Sequence, residues 1–174
     1  DILYHREYRG YWRLNAARLS PTYCSAYFDL MERLRANQNM DITAVARHLY
    51  QLPTHKNGRQ SLQFAFASKL IHTLDPHKPI YDSLVSDFYF FQPPAPNKEL
   101  EFRLQALSSF YNFLCREYER VLVQGLLEAS IQRFRQTQGI DNSYTDEKII
   151  DTLIWRFVTL LRNGALIDRH IVYS

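Results

Sequence analysis

Apolar residues recur every three to four positions through most of this chain, the spacing that gives an α-helix one buried face. Ser20 precedes Pro21, an N-cap followed by the residue best suited to the first helical position, and Tyr23, Tyr27, Leu30, Met31 and Leu34 then repeat at helical spacing. This predicts a helix over residues 21–36. Asp41 caps a second helix with Ile42, Val45, Ala46 and Leu49 on one face, and Pro53 ends it near Leu52. "PTHKNGRQ" reads as a loop turning at Asn57 and Gly58. The third helix, over residues 61–74, is apolar nearly all round (Leu62, Phe64, Phe66, Leu70, Ile71, Leu74), the pattern of a helix central to its domain.

After Asp82, "SLVSDFYFF" reads as a short capped helix, and the proline-rich "QPPAPN" as a connector. From Asn97 onward Leu100, Leu104, Leu107, Tyr111, Leu114, Tyr118 and Val121 keep the helical period, and Leu127, Ile131 and Phe134 extend it past Gly125. One unbroken helix of that length is unusual, so a break is expected between Arg116 and Gly125. Thr145, Asp146 and Glu147 open a last long helix with Ile150, Leu153, Ile154 and Phe157 on its apolar face, and Gly164 closes it. Only the terminal "LIDRHIVYS" carries a strand-like pattern. The expected fold is therefore all-α: a compact multi-helix domain spanning 1–174, with room for two helical lobes and a boundary near 92–97.

Composition narrows the function classes. With 174 residues, 46% of them hydrophobic, the chain can bury a core, so disorder is excluded. The longest apolar run, "IIDTLIWRFVTLL", is interrupted by Asp151 and Arg156 and is too short to span a bilayer, so no membrane contact is expected. Cys24 and Cys115 have neither CxxC spacing nor a His or Cys cluster around them, which points to reduced thiols, a cytoplasmic location and no metal. No secretory leader pattern opens the sequence. HExxH, P-loop and GxGxxG motifs are missing, so no cofactor is expected.

The charge is unevenly distributed. Through residue 60, nine Lys and Arg stand against five Asp and Glu, a surplus larger than the +3 of the whole chain. "HREYRGYWRLNAAR" mixes Arg6, Arg9 and Arg13 with Tyr8, Tyr11 and Trp12, a combination that holds a phosphate backbone while stacking on bases. The same pattern also describes a solvated helical face with ordinary surface arginines.

Candidate chemistry centres on "FASKLIHTLDPHKPIYDS". Ala65, Lys69 and His72 share one helical stripe, and the break at Asp75, Pro76 and Pro79 lets the chain turn back so that Asp82 caps the next short helix. A lysine among apolar groups is a candidate amine nucleophile, and a nearby carboxylate would stabilise an oxocarbenium-like sugar, the requirements of N-glycosidic cleavage through a Schiff base. The structural alternative is a snorkelling lysine and an ordinary N-cap aspartate.

The segment "SLQFAFASKLIHTLDPHKPIYDSLV" resembles the core of bacterial proteins described as similar to 8-oxoguanine DNA glycosylase, a divergent branch of the helix-hairpin-helix base-excision superfamily. The resemblance covers residues 59–90 and extends to the late "DTLIW" helix. It implies Lys69 as the Schiff-base lysine and Asp82 as the catalytic, helix-capping aspartate, with DNA as partner. Where the superfamily carries a glycine-rich hairpin, this chain reads Phe66, Ala67, Ser68. A flipped base would need a pocket with aromatic walls, for which Tyr81, Phe88, Tyr89 and Trp155 are candidates; His72 reads either as a group that orients Asp82 or, more commonly for such a position, as a satisfied core histidine.

Two readings remain open. One is a DNA-binding helical domain of glycosylase-like fold, acting as an N-glycosylase or lyase through Lys69 and Asp82, with Arg6, Arg9, Arg13 and Trp12 on the nucleic acid. The other is a non-catalytic helical module that binds a protein partner.

Overall fold

A computed structural model describes residues 2–36, 40–141, 144–164, 166–167 and 170–171. The chain divides into two compact units, Asp1–Asp75 and Pro76–Ser174. Among the described residues there are eight α-helices, so the all-α expectation holds.

The first unit contains α1 (Ile2–Tyr11), a 3₁₀ turn (Leu14–Ala17), α2 (Pro21–Arg35), α3 (Ile42–Tyr50) and α4 (Phe64–Leu74). Helix α4 packs against α2 and α3, as its all-round apolar sequence requires, and buries Phe64, Phe66, Ala67, Leu70 and Ile71. It starts at Phe64, later than residue 61, because the hydroxyl of Thr54 accepts the Ser61 N–H (2.9 Å) and donates to the Ser61 carbonyl (3.2 Å), holding Ser61 in the preceding loop. Ser20 caps α2 as expected: its Oγ accepts the Tyr23 N–H at 3.0 Å and donates to the Pro53 carbonyl at 2.6 Å. Asp41 caps α3 through the Thr43 N–H at 2.9 Å.

Tyrosine hydroxyls lace this core together. Tyr27 donates to the Phe66 carbonyl at 2.9 Å and meets the Tyr8 hydroxyl at 2.9 Å, and Tyr8 in turn reaches Thr73 at 3.1 Å. Burial raises the pKa of both tyrosines well above the ordinary phenol value, so they remain neutral donors and acceptors.

The second unit contains α5 (Ser83–Phe88), α6 (Leu100–Val123), α7 (Glu128–Gln138), α8 (Asp146–Arg162) and two short antiparallel strands, β1 (Leu166–Ile167) and β2 (His170–Ile171). The rest of the strand-like terminal stretch lies outside the described residues. Helix α8 packs against α5, α6 and α7. The expected break beyond Arg116 falls after Val123, where Gly125 adopts φ +64. The proline-rich stretch 92–97 lies within this unit, whereas the division of the chain falls at Asp75 and Pro76. Thr145 caps α8 and donates to the Pro76 carbonyl at 2.8 Å, and Gly164 follows its end at φ +65. No described helix is long and apolar enough to cross a membrane.

Candidate functional site

Lys69 lies on α4 of the first unit and Asp82 at the start of α5 in the second. The Lys69 ammonium is buried, donates to the Trp12 carbonyl at 3.2 Å, and sits 5.3 Å from the Phe66 ring centroid and 5.8 Å from that of Trp12. Ring faces and a carbonyl oxygen both attract a cation, so these contacts suit a structural ammonium. His72, one turn further on, meets the edge of the same Trp12 ring at 5.9 Å. Trp12, Lys69 and His72 are thus brought together, as their spacing on α4 allowed for the last two.

The arginines of the opening segment separate. Arg6 and Arg13 are exposed, while Arg9 is half-buried. Of the aromatic residues around them Tyr8 is buried and Tyr11 is exposed, while His5 stacks on Phe28 with ring centroids 3.8 Å apart.

Asp82 caps α5 as its position predicts, with Oδ1 accepting the Leu84 and Val85 N–H groups at 2.9 and 3.0 Å. Its other oxygen, Oδ2, is buried without a hydrogen-bond partner. Tyr81 is buried beside it, edge-on to Phe110 at 6.0 Å, and burial raises its pKa. Close by lies a residue not singled out as a site group, Asp151 of α8. It accepts the Tyr118 hydroxyl at 2.8 Å and the Ile80 N–H at 3.3 Å. Burial pushes the Asp151 carboxyl up to about 8; the Asp82 charge adds to the rise, and Tyr118, Lys148 and the Ile80 N–H oppose it. At neutral pH Asp151 is therefore mostly a protonated acid. The signal for it was present in the sequence, since it shares a helical face with Ile150, Ile154 and Val158 and breaks the apolar run of α8.

Among the described residues two clefts are of similar size, and Asp151 lines neither. One, of about 660 Å³, surrounds the α6–α7 turn in the second unit. Its cation, Arg135, donates to the carbonyls of Asp141 and Tyr144 and to the Asp146 carboxylate at 2.6–2.8 Å. The other, of about 680 Å³, lies in the first unit and is lined by Arg9, Arg18, His55, Lys56 and Arg59, with Leu14, Leu19 and Cys24. Apart from Arg9, these basic groups went unassigned because they come from distant stretches, which an antiparallel bridge between Leu19 and His55 brings together. Among the described residues no group of side chains could hold a metal ion.

A third feature is aromatic. In the second unit Phe157, Phe88, Tyr89 and Phe113 touch in sequence, with centroid separations of 5.8, 4.9 and 5.4 Å, and Phe110 joins both Phe113 and Phe91. Phe88 and Tyr89, expected as walls of a base pocket, are thus members of an aromatic surface. Phe90 projects from it almost fully exposed.

No family model, curated protein or solved structure matches this chain. The labels DNA-binding, DNA repair, glycosylase-like and hydrolase or lyase, drawn from the resemblance of residues 59–90, accordingly find no support and are withdrawn; the all-α assignment stands.

Proposed function

We propose that the chain is a non-catalytic helical module whose second unit docks an apolar stripe of a partner protein's helix on its aromatic surface. The observation that carries this reading is Phe90. Helix α5 ends in a Schellman motif, in which the Phe91 N–H bonds to the Ser86 carbonyl at 2.8 Å and the Phe90 N–H to that of Asp87 at 3.1 Å. The residue after the cap in this motif has positive φ and is ordinarily glycine. Here it is phenylalanine at φ 55, with 92% of its surface exposed. A strained backbone position and an exposed large ring are both unfavourable to the isolated protein, and their coincidence points to a binding role.

The surroundings suit a helix. Phe102, Ala106, Ser109 and Phe113 form a stripe on α6 about three turns long, with both phenylalanines exposed. Two ion pairs flank the rings, Asp87 with Arg162 and Glu117 with Arg120. Exposed rings beside charges that neutralise each other favour an apolar partner surface.

Selection from a displayed library of amphipathic helical peptides tests this directly. Binders are expected that lose affinity at least tenfold on Phe90→Gly and on Phe113→Ser, two changes that leave the helix caps in place. Selected peptides that bind both variants as well as the parent, or no enrichment at all, would overturn the reading.

A further inference from the structure

The basic cleft of the first unit is independent of the aromatic surface and has a chemistry of its own. Four permanent cations, Arg9, Arg18, Lys56 and Arg59, line it together with His55, and no Asp or Glu does. None of the four makes an ion pair or side-chain hydrogen bond with the described residues. Exposed cations are commonly unpaired, but Arg9 is different, because its Nε is buried and has no acceptor. A buried N–H without an acceptor is destabilising, and a guanidinium donor more so. Four cations around one cleft with no acid among its described lining residues are the first sign of a ligand.

Backbone geometry is the second. Arg13 and Arg18 flank the 3₁₀ turn, and both adopt the left-handed region, at φ 57 and φ 52. Neither is glycine, so each is strained. Two contacts just beyond Arg18 hold the strain in place: the Ser20 N–H donates to the Thr54 carbonyl at 2.8 Å, and Leu19 bridges to His55. The 55–59 loop, which also lines the cleft, is closed on itself. The His55 N–H donates to the Arg59 carbonyl at 3.1 Å, the Gly58 N–H to the His55 carbonyl at 2.9 Å, and the Arg59 N–H to Asn57 Oδ1 at 3.1 Å. The cations are therefore carried by walls that are already built.

We infer that this cleft binds a small phosphorylated molecule bearing at least two phosphate groups, of the kind found in a nucleoside diphosphate. Arg9 and Arg18 come from one stretch of the chain, and Lys56 and Arg59 from another. This arrangement suits a chain of two phosphates better than one, and guanidinium forks match phosphate oxygens two at a time. A volume of about 680 Å³ holds more than a phosphate group. Leu14 and Leu19 offer apolar contact to the remainder of the ligand, and the Asn15 and Asn57 amides offer neutral hydrogen bonds. A duplex backbone, convex and regularly charged, would leave such a concavity unfilled.

Calorimetric titration of the full chain with inorganic pyrophosphate, ADP and orthophosphate at low and moderate salt tests the assignment. Pyrophosphate and ADP are expected to bind at least tenfold more tightly than orthophosphate. Lys56→Gln and Arg59→Gln, both at exposed loop positions, should each weaken pyrophosphate about tenfold and reduce its salt dependence. Cys24, a half-buried free thiol lining the cleft, supplies a second readout. Saturating pyrophosphate should slow its alkylation several-fold while leaving that of Cys115 on α6 unchanged. Equal affinity for orthophosphate and pyrophosphate, undiminished binding by the two variants, unaltered alkylation of Cys24, or affinity for duplex DNA without affinity for ADP or pyrophosphate would each overturn the proposal.

Discussion

The two units carry clefts of nearly equal volume, about 680 and 660 Å³, and treat charge within them in opposite ways. In the second unit Arg135 donates to two carbonyls and a carboxylate, and so fastens the loop that leads into α8. The first unit leaves four cations around its cleft without such partners. The aromatic residues differ in a narrower way. Both units bury several, Tyr8, Tyr23 and Tyr27 in the first and Phe110, Tyr111 and Tyr118 in the second, but the exposed phenylalanines among the described residues, Phe90, Phe102, Phe113 and Phe157, all belong to the second. Cavity size alone therefore says little about function; what separates the two clefts is whether the polar groups within them are already satisfied.

The strongest way to test how far the second unit satisfies its own charges is Asp151, its buried acid. The folded chain holds this proton up to about pH 8, against 3.8 for the unperturbed group. Between those limits the folded state binds the extra proton, so stability falls as pH rises and levels off above pH 8. Asp151→Asn should keep acceptance from Tyr118 and the Ile80 N–H while removing this dependence. It is expected to be more stable than the parent by roughly 3 kcal/mol at alkaline pH. Denaturant titrations of both proteins across the pH range check this, and parallel curves would show that Asp151 ionises freely in the fold.

In the first unit the corresponding internal network is neutral. Tyr27→Phe removes the donor to the Phe66 carbonyl and the partner of Tyr8, and should cost about 2 kcal/mol with little dependence on pH between 5 and 8. Urea unfolding measures it, and a cost that varied strongly with pH would break the contrast with Asp151.

A smaller effect of opposite sign is expected at the exposed surface of the second unit. Phe90→Gly relieves the positive φ at the end of α5 and should stabilise the protein by about 1 kcal/mol, seen as a rise in Tm. Higher stability with lost peptide binding would separate function from folding at a single residue.

The smallest effect belongs to the cleft cations. Lys56→Gln and Arg59→Gln should change stability by less than about 0.5 kcal/mol, since both residues are exposed and neither has an ion-pair partner among the described residues. Thermal melts at low salt check this, and a large loss would mean that these cations hold the loop together.

Much of the fold was legible because the signals were local. Ser20 with Pro21, Asp41, Asp82 and Thr145 each cap the helix their position announced. Where the pattern erred, a contact from elsewhere in the chain intervened, as when Thr54 drew Ser61 out of α4. The site was less legible. Asp82 was correctly read as a cap, but the buried state of its second oxygen and the proximity of Asp151 depend on how α8 packs against α5. Arg9 was singled out for its neighbours Arg6 and Arg13, yet in the fold it shares a cleft with Arg18, Lys56 and Arg59.

By itself, then, the sequence determined the all-α class and the capped helix starts at Ser20, Asp41, Asp82 and Thr145. Hydrophobic period and capping chemistry act within a few residues, and no distant contact is needed to express them. The tertiary structure alone decided which charges meet, which rings face water and which carboxyl keeps its proton. Those properties depend on desolvation and on distances between side chains from separate helices, and neither quantity exists until the helices have packed.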